Sequence, residues 1–326
     1  MRNVSRLRQE PLTAFGAPVL GGAIVPTTGQ HWWVDPNAAL HTPKYAFGHG
    51  RSQDYPLSTL AAAEAASQTG DVIMIHGNIR EENVVFSNLK FDRKVVGIGG
   101  LHHPDQPSSA YHPGSSMIRP PASPTATTPL IVSRGRGLEF HNVTFDAPVD
   151  AAAVQMNANA LSDVSEYDAS HAKYVNCLFQ AGYRGIQDVG GCINTLVKDS
   201  QFRTFSETGG AAIVSTSTSV RLPQYWLIEG CIFPGNGASG GNETHIDTPL
   251  SGSVIRHNVF GTVEGTALYI DLTGGDDNDV CYNSLAGVYN TSDYVAGTSD
   301  RWFGNNVAVI STQAPNGFTI TVPAAP

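Results

Sequence analysis

Charge is scarce in this chain: only 14% of its 326 residues are Asp, Glu, Lys or Arg, where soluble domains carry about a quarter. The charge present leans acidic, with a net of −9. That excludes a nucleic-acid binder working by phosphate neutralisation. Long apolar runs are also missing. The opening Met1-Arg2-Asn3-Val4-Ser5-Arg6-Leu7-Arg8 is basic, but no apolar stretch follows it, and 12–25 is interrupted by Pro18 and glycines. The reading is of no secretory leader, no transmembrane span and no membrane partner. Cysteine is sparse: residues 177, 192, 231 and 281 are scattered, and no CxxC occurs. Such cysteines behave as small buried apolar groups, so free thiols are expected in preference to disulfides or a metal site.

Glycine (34) and proline (20) are plentiful, which suits many short strands joined by turns and does not suit a helical bundle. Six segments share one apolar signature: His141-Asn142-Val143-Thr144-Phe145, Val175-Asn176-Cys177-Leu178-Phe179, Lys198-Asp199-Ser200-Gln201-Phe202, Glu229-Gly230-Cys231-Ile232-Phe233, Arg256-His257-Asn258-Val259-Phe260 and Cys281-Tyr282-Asn283-Ser284-Leu285. Their final residues are 34, 23, 31, 27 and 25 apart. Imperfect periods of 20 to 50 residues mark stacked supersecondary units. These units alternate like strands, so the stack is read as an all-β solenoid. Asn258 and Asn283 share the slot of Cys177, Ser200 and Cys231, and stacked Asn side chains satisfy one another's amides.

The organisation reads as an extended N-terminal arm (1–30), a cap with the first coils (31–100), a Pro- and His-rich surface loop (101–130) and the coils with loop insertions (131–326). In the cap, Ala61 to Ala66 form a short helix with Ser58 or Thr59 at its N-cap and Gly70 as its stop. A helix over the first coil protects an edge that would otherwise template aggregation. The loop histidines 102, 103 and 112 lack acidic or cysteine partners at ligand spacing, and no metal or other cofactor is expected. The insertions 157–169, 215–224, 235–252 and 287–300 should gather on one face, as repeat insertions do on binding faces.

Several cap segments support a resemblance: Trp33-Val34-Asp35, Pro56-Leu57-Ser58-Thr59-Leu60-Ala61-Ala62-Ala63, Gly70-Asp71-Val72-Ile73-Met74-Ile75 and Val95-Val96-Gly97-Ile98-Gly99. With the Asn-x-Phe rungs, they resemble right-handed parallel β-helix proteins of the pectate-lyase-like superfamily over roughly residues 31–310. The resemblance implies a right-handed parallel β-helix with a short capping helix. It does not select a function, because this fold carries lyases, glycosidases, phage tailspikes and non-catalytic virion proteins. One departure is that Gly77-Asn78-Ile79-Arg80 replaces the usual aromatic turn after the Gly-Asp strand. No lyase or hydrolase active-site motif is present.

Glycosidase chemistry needs two carboxylates flanking a sugar. Glu243, His245 and Asp247 are the catalytic candidates, and alternation would put all three on one side of an extended strand. Asp271, Asp276 and Asp277, with Tyr289 and Trp302, are candidates for glycan contact. Asp271, Asp276, Asp277 and Asp279 could also offer hard oxygens to Ca²⁺. Asp188 and Glu207 come from neighbouring coils. Arg184, Arg203 or His245 could supply a lyase's base or cation. Tyr167, Tyr183, Tyr225, Trp226 and Tyr294 are further ring platforms, with Trp226 read as core. The plain alternative is a turn with solvated charges at 274–279 and a surface loop at 243–247.

Two functions from different classes follow. One is a structural protein of a bacteriophage virion, of tailspike, fibre or capsid-surface decoration type, that binds cell-surface polysaccharide. It would be homotrimeric and virion-located, and would dock to other virion proteins through Arg2, Arg6 and Arg8 of the arm. The other is a polysaccharide lyase or glycoside hydrolase on the same scaffold, cytoplasmic or released by lysis.

Overall fold

Alternation with period two, broken by turn residues every few positions, gives strands too short to stand alone, and the chain winds them into coils. The computed structural model describes residues 29–38, 49–99, 115–158, 167–203, 205, 210–217, 221–234, 244–261, 268–286 and 294–308, together with the strands Thr13–Ala14, Ala17–Leu20, Ala23–Ile24 and Phe318–Ile320. Each full coil contributes one strand to each of three sheets. Sheet A has eight strands, from Val84–Phe86 to Tyr294–Val295. Sheet B has ten, from His31–Val34 to Arg301–Phe303. Sheet C has ten, from Gly77–Arg80 to Phe318–Ile320. Neighbours in sheets A and B are parallel and in register. The fold is the expected right-handed parallel β-helix. In sheet C the last strand instead folds back antiparallel on Asn305–Ala308, so the terminal edge receives a partner. Within the segment read as an arm, the three short strands pair antiparallel with one another.

Two corners flank each of the seven strands of sheet B from Glu139–His141 to Arg301–Phe303, and each corner uses one residue of left-handed backbone. Gly137, His171, Asn194, Tyr225, Gly252, Asp277 and Ser299 open the strands; Asn142, Asn176, Asp199, Gly230, His257, Tyr282 and Gly304 close them, five residues later in every coil. Their φ values lie between 49° and 72°. Non-glycine residues seldom adopt this conformation, and Asn and Asp tolerate it best. It persists at Tyr and His here because the corner amides bond to the next coil, as from Asn176 to the Lys198 carbonyl and from Tyr225 to the Ser251 carbonyl.

The residue after each corner is buried, and those polar slots form ladders. After the second corner, Asn258 Nδ2 donates to Asn283 Oδ1 at 3.0 Å, and Asn283 Nδ2 donates to Asn305 Oδ1 at 2.9 Å. Each amide also donates to a backbone carbonyl, of Ile228 and Ile255 respectively. Low dielectric strengthens such chains when every member is satisfied. A second ladder runs from Ser253 through Asn278 to Asp300 at the other corner. All four cysteines are free and buried, and burial pushes the thiols of Cys177 and Cys231 up to about 12.

The core follows from the Phe slot. Phe145, Phe179, Phe202, Phe233 and Phe260 stack face to face, with ring centroids 4.8, 4.8, 4.9 and 4.6 Å apart. That is the spacing of the strands themselves. Opposite them, Tyr174, Val197, Ile228, Ile255, Val280 and Trp302 form the inward column of sheet B. The cap helix is Leu60–Ala66, buried through Leu60 and Ala63. Thr59 caps it by accepting from the Ala62 amide, and the Glu81 carboxylate takes the amides of Leu60 and Ala61. Ser67, not Gly70, ends it; Gly70 turns the chain afterwards at φ 80°. Glu64 ties the helix to the first coils through a 2.7 Å ion pair with the buried Arg93.

Candidate functional site

Alternation fails where it mattered most. In Thr244–Asp247, consecutive residues His245 and Ile246 both lie inside, at 1% and 0% exposure. Consecutive buried residues recur in sheet A, as in Ala211–Val214, and the inward position below His245 is held by small residues: Ala212 on the next strand and Gly185 on the one after, where a Cβ would meet the Phe202 and Phe205 rings at 3.1 Å. The His245 ring lies among Phe233, Phe260 and Tyr269, with Nε2 3.2 Å from the Gly261 carbonyl oxygen. Burial lowers its pKa to about 4, so it is neutral and donates through Nε2. The reading of His245 beside Glu243 and Asp247 on one side is therefore corrected: His245 is a core residue, and Asp247 alone of the described pair faces outward. Glu243 lies outside the described residues.

The structure does bring Asp247 next to another candidate. Gln155, Gln187, Val214, Asp247, Asp271 and Val295 form one outward column of sheet A. Asp247 and Asp271 are register partners one strand apart, about 4.8 Å by strand spacing. The Asp247 side chain reaches solvent, yet it is desolvated on its packed flank. That desolvation and then the Asp271 charge push its carboxyl above the ordinary value, while Arg184 draws it back. Arg184, on the same sheet, holds its guanidinium 4.3 Å over the Tyr183 ring. Asp271 Oδ1 accepts from the amide and hydroxyl of Thr273, which fixes the carboxylate against its own turn.

The remaining candidates lie elsewhere. Asp276 bridges Ser251 and Thr298 in the next corner, Asp277 is that corner's exposed left-handed residue, and Asp279 is paired to Arg301 at 2.7 Å. They do not join Asp271 in a cluster. Trp302 is 3% exposed and closes the sheet B column against Tyr294, so as a glycan platform it is corrected to core. Trp226 is core as expected, its indole donating to the Cys192 carbonyl. Asp188 is fully buried and accepts from the amides of Gly191 and Cys192 and from Ser215 Oγ, a turn-holding role. Tyr289, Glu207, Arg2, Arg6 and Arg8 lie outside the described residues.

The connections from sheet C into sheet A vary in length, and one early connection, 120–130, is long. After it come 147–151, 181–183, 204–210, 234–243, 261–269 and 287–293. Those at 234–243 and 261–269 lead into the sheet A strands that carry Asp247 and Asp271. Among the described residues, no three His, Cys, Asp or Glu are grouped to hold a metal, and no helix is long and apolar enough to cross a membrane. Two carboxylates alone fall short of the six to eight oxygens that Ca²⁺ takes.

No protein-family model and no curated protein matches this chain. Solved structures do. Pectate lyase Pel9A aligns over 88% of this chain and 80% of its own, with TM-score 0.50 and 13% identity. YbhC of Escherichia coli aligns over 91% and 84%, with TM-score 0.50 and 12% identity. Tailspike protein 2 of Escherichia coli O157:H7 bacteriophage CAB120 aligns over 92% of this chain but 42% of its own, with TM-score 0.45 and 10% identity. What is shared is the fold. At these identities a site does not transfer with it.

The neighbouring Asp271 charge, together with burial, keeps the Asp247 carboxyl protonated to a higher pH than an ordinary Asp, and a raised carboxyl is one of the two parts that acid–base catalysis by a carboxyl pair requires. The sequence carried a signal for the pairing that went unread: Ile246-Asp247 and Ile270-Asp271 repeat one dipeptide, with the Ile inward and the Asp outward.

Proposed function

We propose that this chain is a glycan-engaging β-helix whose binding face is the outer side of sheet A. The observation that carries the reading is the in-register pair Asp247 and Asp271, with Arg184 on the same sheet, at the place where two of the long connections enter. Carboxylates bind sugar hydroxyls as paired acceptors, and Gln155 and Gln187 lie further along the same column, beyond the buried Val214, with amide donors and acceptors. The setting we assign is the surface of a bacteriophage virion, with the basic residues Arg2, Arg6 and Arg8 docking the protein to its neighbours. The scarce charge and many polar connections of the body fit a rigid, exposed spike or decoration.

A second reading, hydrolysis at the same face, is favoured by one observation: Asp247 is raised and Asp271 is its register partner. Register partners on adjacent strands stand about 4.8 Å apart at the backbone, which lets their carboxyls approach the separation of the pair in retaining glycosidases. Incubation with a panel of bacterial surface polysaccharides, followed by assays for bound glycan and for new reducing or unsaturated ends, separates the two. Binding without new ends, lost in Asp247→Asn and Asp271→Asn, supports a binding face. New ends abolished by either variant make it a hydrolase. Binding that neither variant changes, or no binding across the panel, contradicts both.

A further inference from the structure

A second charged surface lies on another sheet, near the N-terminal end of the coils. A cleft of about 550 Å³ opens over sheet B and is lined by Phe91, Asp92, Arg136, Glu139, His171 and Lys173. Of its two acids, Glu139 is already neutralised from within. Burial alone would raise the Glu139 carboxyl, but hydrogen bonds from His141 and Lys173 and the charges of Lys94 and Lys173 hold it at about 2. The contacts are 2.9 Å to His141, 2.7 Å to Lys173 and 3.3 Å to Lys94. Glu139 is therefore a fixed anion that anchors cations along the wall.

Arg136 is the exception among these charges. It is exposed, and among the described residues no carboxylate lies within ion-pair distance of it. Its guanidinium donates instead to His171 Nε2 at 2.7 Å. A guanidinium has no acceptor, so His171 must present a bare nitrogen and carry its proton on Nδ1. A neutral imidazole thus positions a cation that lacks a counter-ion. Beside it, Phe91 exposes 45% of its surface, a flat apolar ring at the rim. The Asp92 carboxylate packs against Gly137, where a Cβ would come within 2.1 Å of Asp92 Oδ1, so the glycine lets this carboxylate sit in the cleft wall.

We infer that this cleft is a separate binding site for an anionic sugar residue, with Arg136 and Lys173 taking the oxyanion, Phe91 stacking on the ring and Asp92 accepting from its hydroxyls. Carboxylate and sulfate present the same planar-to-pyramidal set of acceptor oxygens to a guanidinium fork. The site stands apart from Asp247 and Asp271, on a different sheet, so it does not depend on the face assigned above.

The test is calorimetric titration of the full chain with an unbranched uronate tetrasaccharide, a sulfated oligosaccharide, inorganic sulfate and a neutral glucan of the same length. Binding of either anionic oligosaccharide is expected, with none of the neutral glucan. Arg136→Ala should weaken it tenfold or more with an unchanged melting temperature, since the side chain is exposed and its one bond is to His171. Arg136→Lys should retain part of it, as a point charge without the fork. Which anionic oligosaccharide binds identifies the source of the anion. Asp247→Asn and Asp271→Asn should leave this affinity unchanged. Equal binding of the neutral glucan, no loss in Arg136→Ala, binding by inorganic sulfate alone as an adventitious ion only, or no binding by any oligosaccharide overturns the proposal.

Discussion

At the scale of single residues, burial decides what a polar side chain does. His245 has the sequence context of a catalytic histidine and the environment of a core residue. Its folded pKa of about 4 lies below the ordinary value near 6.5, so folding favours the neutral ring. The stability this contributes is complete above pH 6.5 and is lost as pH falls toward 4, up to about 3 kcal/mol. His76 acts in the opposite sense: its hydrogen bond to Asp35 raises its pKa, and that contribution fades as pH rises. Thermal melts from pH 7.5 to 4 should show a drop that His245→Phe largely removes. An identical drop in that variant would place the acid sensitivity elsewhere. The ladder gives a second expectation. Asn283 donates to two acceptors and its Oδ1 serves both the amide nitrogen and the side chain of Asn258. Asn283→Ala should cost about 2–4 kcal/mol in urea denaturation, because partners are left unsatisfied in a dry interior. A cost below 1 kcal/mol would mean that water enters the corner.

At the scale of the element, the coil is a corner, three strand residues and a second corner, then a strand of sheet C and a connection to sheet A. Much of this was legible. The Phe slot gave the rung spacing, and the Asn slot gave the ladder, because side chains that stack must repeat in type. The left-handed corners were less legible. Tyr225, Tyr282 and His257 occupy them as well as Asn and Gly do, since coil-to-coil amide bonds override the intrinsic preference. The consecutive burial in sheet A was invisible. Nothing in Thr244-His245-Ile246-Asp247 says that two neighbours share a side; the imidazole packs among Phe233, Phe260 and Tyr269, above the small Ala212 on the adjacent strand. Asp247 and Asp271 were each singled out, but their pairing spans 24 residues and needs the register. The stack itself carries a prediction. Phe202, with Phe179 and Phe233 on its two faces, is 1% exposed, so Phe202→Ala should cost about 3–5 kcal/mol by chemical denaturation. Phe202→Leu should cost far less, and equal costs would contradict a packed column. In the cap, Glu64→Ala leaves the Arg93 guanidinium buried without its partner and should cost about 3–5 kcal/mol.

At the scale of the whole molecule, the fold supplies a rigid rod whose sides differ. Sheet A carries the paired carboxylates and receives the long connections. Sheet B carries ion pairs on its outer face, and a cleft where Arg136 has no carboxylate partner among the described residues. Sheet C turns an exposed Ile232 and Val259 outward. An assembly role for the N-terminal segment has a direct check. Replacing Arg2, Arg6 and Arg8 with Ser should abolish assembly seen by mass photometry and leave the melting of the coils unchanged; assembly that survives the change would remove the arm from the proposal. The central claim is that glycan binds on sheet A through Asp247 and Asp271. The most direct measurement is the affinity of the wild type and of the Asp247→Asn, Asp271→Asn double variant for the best polysaccharide of the panel. The account expects the double variant to lose tenfold or more in affinity with its melting temperature intact. Equal affinity in the two proteins would contradict it.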